Sequence, residues 1–402
     1  MGVGRGSVVS ISDRVRKSVA GGSLIRKVWE EGFSLKQQYG EENVFDLSLG
    51  NPVMEPPAEF HRELRRLVEN PLPGMHRYMP NAGYPETRAA VAAQLSLETG
   101  IKFTLNDIVM TCGAGGALNI AIKTILNPGD EVIIFAPYFP EYIAYPGHHG
   151  GIAKVLPTDE QFIPRLDALE AAIGAKTKAV LINSPNNPTG VVYSEDFIHQ
   201  LGQLLSKKEA QYGTHIFLIS DEPYRKIIYD GYKYPQVWPH YRQTIVVTSH
   251  SKDLALPGER IGYAAVHPDC SLREELVAGL IYCNRTLYTN APALMQHIIR
   301  HLQSVTVSVA EYQRKRDFLY DHLNEMGYSV IKPQGAFYMF PKSPLEDEVA
   351  FVSELRQWRV LTVPGRGFGS PGYFRISYCV DDRTLEGSLA GFAKAAQRFN
   401  IG

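Results

Sequence analysis

The feature that most constrains this chain is a series of short, continuously apolar runs separated by amphipathic stretches. They read DIVMTC, EVIIF, KAVLINS, HIFLIS, TIVVTS and GYAAV, and all lie between residues 107 and 266. A strand with one wet face alternates apolar and polar residues, whereas an unbroken apolar run marks a strand covered on both faces. Between the runs, helical spacing recurs: PETRAAVAAQLSLETG with Pro85 in its first turn, GGALNIAIKTIL, Arg165 to Ile173 and Glu195 to Ser206. Strand and helix in alternation predict an α/β fold, a mostly parallel sheet covered by helices, over residues 56–294.

After Pro292 the pattern changes. A broken helical stretch runs to about Met326, followed by short strands and helices in YSVIKP, AFYMFP, EVAFVSELRQWR, VLTVPG and YFRISYCV. This predicts a smaller α+β domain over 295–402. Residues 1–55 are expected to supply an N-terminal arm, frayed up to about residue 22, and part of the smaller domain. A helix from Ser23 to Gly40, with Leu24, Ile25, Val28 and Trp29 on one face, should pack there and bury Trp29 and Phe33. VFDLSLG at 44–50 reads as a strand.

Charge and cysteine content narrow the function. Among 402 residues, 41 Lys and Arg oppose 42 Asp and Glu, for a net charge of -1. That balance offers nucleic acid or an anionic membrane no electrostatic footing. No apolar run approaches the roughly 20 residues that span a bilayer. The basic N-terminus lacks a secretory apolar core, and Gly6 stands where a myristoylation signal needs Ser or Thr. Four scattered cysteines form neither a disulfide framework nor a CxxC pair, so the cytoplasm is the expected compartment. His148-His149 has no partner at ligand spacing, and no metal site is expected.

Ligands of α/β sheets gather beyond the carboxyl ends of the strands. The residues there are Gly113-Ala114-Gly115-Gly116, Pro137-Tyr138-Phe139, Pro185-Asn186-Asn187-Pro188, Asp221-Glu222-Pro223-Tyr224 and His250-Ser251-Lys252. A lysine leaving a buried strand is poorly solvated, which lowers its pKa and frees its amine as a nucleophile. Ser249, Ser251 and Arg260 flank Lys252 and suit a phosphate. An amine beside a phosphate site suits a phosphorylated aldehyde held as an imine.

The segment S-x-S-K-x4-P-G-x-R around Lys252 resembles the cofactor-lysine segment of class I (fold-type I) pyridoxal-phosphate aminotransferases, with an aspartate aminotransferase-like layout. Asn183-Ser-Pro-Asn-Asn187-Pro-Thr-Gly190 and Asp221-Glu-Pro-Tyr224 resemble two further motifs of that family, in the same order and spacing. The resemblance runs from about Gly50 to Arg375 and implies a large domain with a seven-stranded sheet. It implies pyridoxal 5'-phosphate as cofactor, with Lys252 carrying the imine and shuttling a proton. Asp221 would keep the pyridine nitrogen protonated, and Tyr224 and Asn187 would hydrogen-bond the ring oxygen. Phe139 would stack on the ring, and Ala114, Gly115, Ser249, Ser251 and Arg260 would hold the phosphate.

On the substrate side the resemblance implies that Arg375, with the Gly50 backbone and Asn187, binds the α-carboxylate. Tyr78 resembles the tyrosine that reaches the neighbouring subunit's phosphate, implying a homodimer with shared sites. Arg285 resembles the partner-supplied arginine that binds a distal carboxylate. The expected reaction moves the α-amino group of an L-amino acid, aspartate-type or of broad range, to a 2-oxo acid such as 2-oxoglutarate by a ping-pong route. The alternatives are a different amino donor (alanine, aromatic, diaminopimelate), a C–S β-lyase of the same fold, and a binding protein that has kept the fold.

Overall fold

The computed structural model describes residues 11–21 and 24–401. In chain order its strands are β1 (Phe45–Asp46), β2 (Ile108–Thr111), β3 (Glu131–Ala136), β4 (Ile152–Pro157), β5 (Thr177–Asn183) and β6 (Phe217–Asp221). Then follow β7 (Thr244–Ser249), β8 (Gly262–Val266), β9 (Tyr338–Met339), β10 (Val360–Leu361), β11 (Val363–Pro364) and β12 (Phe374–Ser377).

Seven of these make one sheet in the order β2-β8-β7-β6-β5-β3-β4. From β4 through β7 all neighbours pair in parallel, and β8 is antiparallel to both β7 and β2. The unbroken apolar runs have the expected cause. Successive residues of one strand enter two different cores: Ile133, Val180 and Leu218 pack with Phe197 and Trp238, while Val132, Ala179 and Ile219 pack with Leu118 and Leu280. Both faces are therefore dry.

The sequence reading missed β4. It is the sheet's edge, its IAKVLP positions are partly or fully exposed, and it carries no continuous apolar signal.

A second set of strands lies beyond residue 335. The antiparallel order is β11-β12-β9, and β1 near the N-terminus pairs in parallel with β10. Around them Phe337, Phe351, Phe374, Tyr378 and Phe392 form a core.

Several expectations need correction here. YSVIKP carries no strand, and VFDLSLG is extended into a strand only at Phe45–Asp46. EVAFVSELRQWR supplies the helix Glu348–Gln357. Within the arm expected to fray, Asp13–Gly21 is a helix; Ser23 lies outside the described residues. The helix Leu24–Tyr39 does reach the second unit, burying Val28 against Val44 and Leu361. Trp29 and Phe33 stay 50% and 59% exposed, because the contact is made by the face carrying Val28 rather than theirs.

All four cysteines are free thiols. Among the described residues no helix is long and apolar enough to cross a membrane, and no group of three or more His, Cys, Asp or Glu could hold a metal.

Candidate active site

A cavity of about 310 Å³ opens where β5, β6 and β7 end, and its walls come from both sets of strands. That volume suits a small organic ligand. Lys252 enters from the single helical turn His250–Asp253, directly after β7. Its Nζ donates to the Gly50 carbonyl at 2.7 Å and stands 5.5 Å from the centre of the Phe337 ring. Burial lowers its pKa to about 8, with Arg375 and Arg260 pushing the same way and Cys379 opposing. Gly50 is needed at this approach, since a Cβ there would overlap the Tyr338 hydroxyl.

Asp221 closes β6 and is buried. The Tyr142 hydroxyl donates to its Oδ2 at 2.5 Å, while its Oδ1 is buried with no donor among the described residues. Burial raises its pKa to about 7, the Tyr142 bond opposing and Glu222 adding. Asn183 ties this wall together: its Nδ2 donates to the Asp221 carbonyl at 2.9 Å, and its Oδ1 accepts the Asn187 backbone N–H at 2.8 Å. Phe139, on the wall beside them, meets Tyr142 edge-on with ring centres 5.5 Å apart.

One end of the cavity is built for an anion. Ala114 and Gly115 lie in the first turn of the helix Gly113–Ile125, whose leading N–H groups have no intrahelical acceptor. The Ser249 and Ser251 side chains, both buried, face the same space. Arg260 sits at the rim in left-handed backbone, φ 51°, and pairs with no carboxylate among the described residues. Gly113, at φ 74°, leaves room for it, since a Cβ there would stand 2.8 Å from an Arg260 Nη.

Another part of the cavity wall is cationic too. Arg375 on β12 is 3% exposed. Its Nη1 donates to Asn187 Oδ1 at 3.0 Å and its Nη2 to the Ser48 carbonyl at 2.5 Å. Its guanidinium lies 4.8 Å from the centre of the Tyr338 ring and 4.7 Å from that of Phe368. Nε is buried without a partner, and no carboxylate pairs with the group among the described residues. An unpaired buried cation is costly, so this end is arranged for a ligand that brings negative charge. Tyr224 shares a 2.9 Å hydroxyl–hydroxyl bond with Tyr338 on the same wall.

All the residues expected at the site line this cavity except Tyr78 and Arg285. Tyr78 is 87% exposed and borders a separate surface depression with His76, Arg77 and Asn290. Arg285 is exposed at the end of the helix Arg273–Leu287, with its guanidinium 5.5 Å from the Tyr282 ring. Their own chain does not bring either one to the cavity. Sequence reasoning quoted Asn183 in its motif without giving it a role, and it missed Tyr142, Tyr338 and Glu141. Tyr142 follows Phe139 by three residues, a spacing that could have revealed it. Tyr338 carries no local signal, because it arrives from the second set of strands.

The family model for aminotransferases of class I and II matches residues 42–391. A Thermus aquaticus protein named probable aspartate/prephenate aminotransferase is 33% identical over 366 residues, spanning 87% of this chain and 91% of the relative. The aromatic-amino-acid aminotransferase 2 of Thermococcus litoralis is 30% identical over 395 residues, 95% and 97% of the two chains. A solved amino transferase from Eubacterium rectale superposes with a TM-score of 0.94 at 40% identity, covering 98% and 100%. With family match, sequence relatives and architecture agreeing over nearly its whole length, the chain belongs to the class I aminotransferases, pyridoxal-phosphate-dependent enzymes of fold type I.

Proposed function

We propose that this enzyme moves the α-amino group of a range of L-amino acids to a 2-oxo acid in two half-reactions at the cavity of Lys252. One observation carries the reading. The Lys252 amine and the Arg375 guanidinium face one cavity, and neither is in an ion pair with a carboxylate among the described residues. The unmet groups fit pyridoxal phosphate: Asp221 Oδ1 needs an N–H donor, the Ala114–Arg260 end needs an anion, and Lys252 offers a nucleophile.

Asp221 would hold the pyridine nitrogen, Phe139 the ring face, Asn187 and Tyr224 the ring oxygen, and Ala114, Gly115, Ser249, Ser251 and Arg260 the phosphate. When bound, the cofactor supplies a protonated ring that accepts the electron pair released at the substrate α-carbon. Asp221, ionised against that ring, keeps the proton on its nitrogen. Lys252 Nζ, with a pKa near 8 and so partly neutral at working pH, takes the α-proton and returns it on the cofactor side. Arg375 and the Gly50 backbone orient the α-carboxylate, so the α-hydrogen meets Nζ.

On this reading residues 56–294 form the cofactor domain, and residues 1–55 with 295–402 form a smaller domain that carries Arg375 toward it. Tyr78 and Arg285 lie outside their own cavity and serve the site of a second copy in a cytoplasmic homodimer. The test is a panel of aspartate, glutamate, alanine, phenylalanine, kynurenine and diaminopimelate, scored by the visible cofactor band. Conversion to the amine form, reversed by a 2-oxo acid, is the expected result. Pyruvate and ammonia released without an acceptor would make it a β-lyase.

An aspartate-type preference is the second reading. It is favoured by the exposed Arg285, which has no carboxylate partner among the described residues, and by relatives whose names include aspartate. On that reading Arg285→Ala lowers kcat/KM for aspartate and glutamate by roughly tenfold or more, the worth of one lost ion pair, and leaves alanine unchanged. Equal losses on all donors remove it.

A further inference from the structure

Five charged side chains line the cavity: Lys252, Asp221, Arg260, Arg375 and Glu141. On the reading above, the first four meet the cofactor or the α-carboxylate. Glu141 has no such use. It sits in the turn Pro140–Ile143, between Phe139, which faces the cavity, and Tyr142, which is anchored to Asp221. The backbone that carries it is therefore held in place by the floor of the site. Its side chain is exposed at the cavity wall and makes no ion pair among the described residues. Partial burial at the wall raises its carboxyl pKa, with a backbone hydrogen bond and the charge of Arg375, the one cation that reaches it among the described residues, opposing that rise.

A substrate with its α-carboxylate on Arg375 and its α-carbon at Lys252 must place its side chain within the same cavity, whose lining includes Glu141. The cofactor would take the wall of Asp221 and Phe139, so the side chain shares the remaining lining with Glu141. We propose that Glu141 is a specificity-determining residue that sets the charge of the tail this site accepts. It favours amino acids with neutral or cationic side chains and disfavours a distal carboxylate. The inference rests on the aminotransferase reading and takes the broad-donor side of it. In a partly enclosed cavity, one charge facing another at several ångströms shifts affinity by about tenfold in either direction.

The test uses the holoenzyme and four unreactive carboxylates, with affinities measured by calorimetry. Glutarate is compared with glutaramate, its neutral isostere, and 4-trimethylammoniobutyrate with the neutral 5,5-dimethylhexanoate. Relative to Glu141→Gln, the wild-type protein should prefer glutaramate over glutarate by about tenfold more, and the cation over its isostere by about tenfold more. Identical ratios in the two proteins overturn the role of Glu141 while leaving the carboxylate site intact. Failure of all four to bind, or undiminished binding to Arg375→Ala, overturns the site reading and this inference with it.

Discussion

Lys252→Ala should lower kcat by about 10⁴-fold or more for every amino donor, because on the proposed reading it removes the base that moves the α-proton, a role worth 10²–10⁴ by itself, together with the covalent anchor. Borohydride treatment of the wild-type holoenzyme should fix the cofactor's mass on residue 252, and the variant should show no such adduct. A second signature is independent of turnover. The folded pKa of Lys252 is lowered from 10.5 to about 8 by burial. Between those values the unfolded chain binds more protons than the folded one, so this lysine's cost to stability is full below pH 8 and fades as pH rises to 10.5. Denaturant titration of the cofactor-free protein should therefore show wild type gaining on the order of 3 kcal/mol relative to Lys252→Ala across that window. Parallel stability curves for the two proteins would mean that the amine is solvated and unfit for the role.

Asp221→Asn should separate stability from activity. Its carboxyl pKa is raised by burial from 3.8 to about 7, so between these values the folded protein holds the extra proton. Stability contributed at this position is present below pH 4 and is lost as pH climbs to 7. Neutral asparagine escapes that loss. The cofactor-free variant at pH 8 should be more stable than wild type, by at most about 4 kcal/mol, the full weight of the shift. Glu222, also buried and raised to about 7, is untouched and keeps its own part of the slope.

The holoenzyme should behave in the opposite way. On the proposed reading a protonated ring nitrogen supplies the donor that Asp221 Oδ1 lacks among the described residues, and removing one partner of such a buried pair costs about 3–5 kcal/mol, or roughly 10²–10⁴ in kcat. A variant that is less stable without cofactor yet fully active would show that Asp221 does not serve the ring.

Much of the cavity was legible because its residues sit at the ends of strands. The positions of Asp221, Ser249 and Lys252 follow from where apolar runs stop, and that is a local property of the chain. Ala114 and Gly115 were legible for the same reason, since a glycine-rich turn after a strand opens a helix. Gly50 and Arg375 were reached by family resemblance, not by local pattern. The Gly50 carbonyl meets a lysine 202 positions away, and Asn187 meets an arginine 188 positions away. Nothing in the residues around either one announces the contact. The edge strand β4 was missed because water on its exposed positions removes the apolar signal that marked the others.

The amino-acid sequence by itself determined which chemistries the strands deliver and on which side of the sheet they gather. Apolar periodicity sets where each strand ends, and each end carries its own side chain. Tertiary structure alone decided what those side chains meet. Among the described residues it left Asp221 Oδ1 and Arg375 Nε without partners, set Tyr142 against Asp221, and placed Glu141 on the wall of the cavity. It also turned Trp29 and Phe33 toward solvent. The physical reason is that burial and pairing depend on segments far apart in the chain meeting at set angles, and short-range pattern carries no record of those angles.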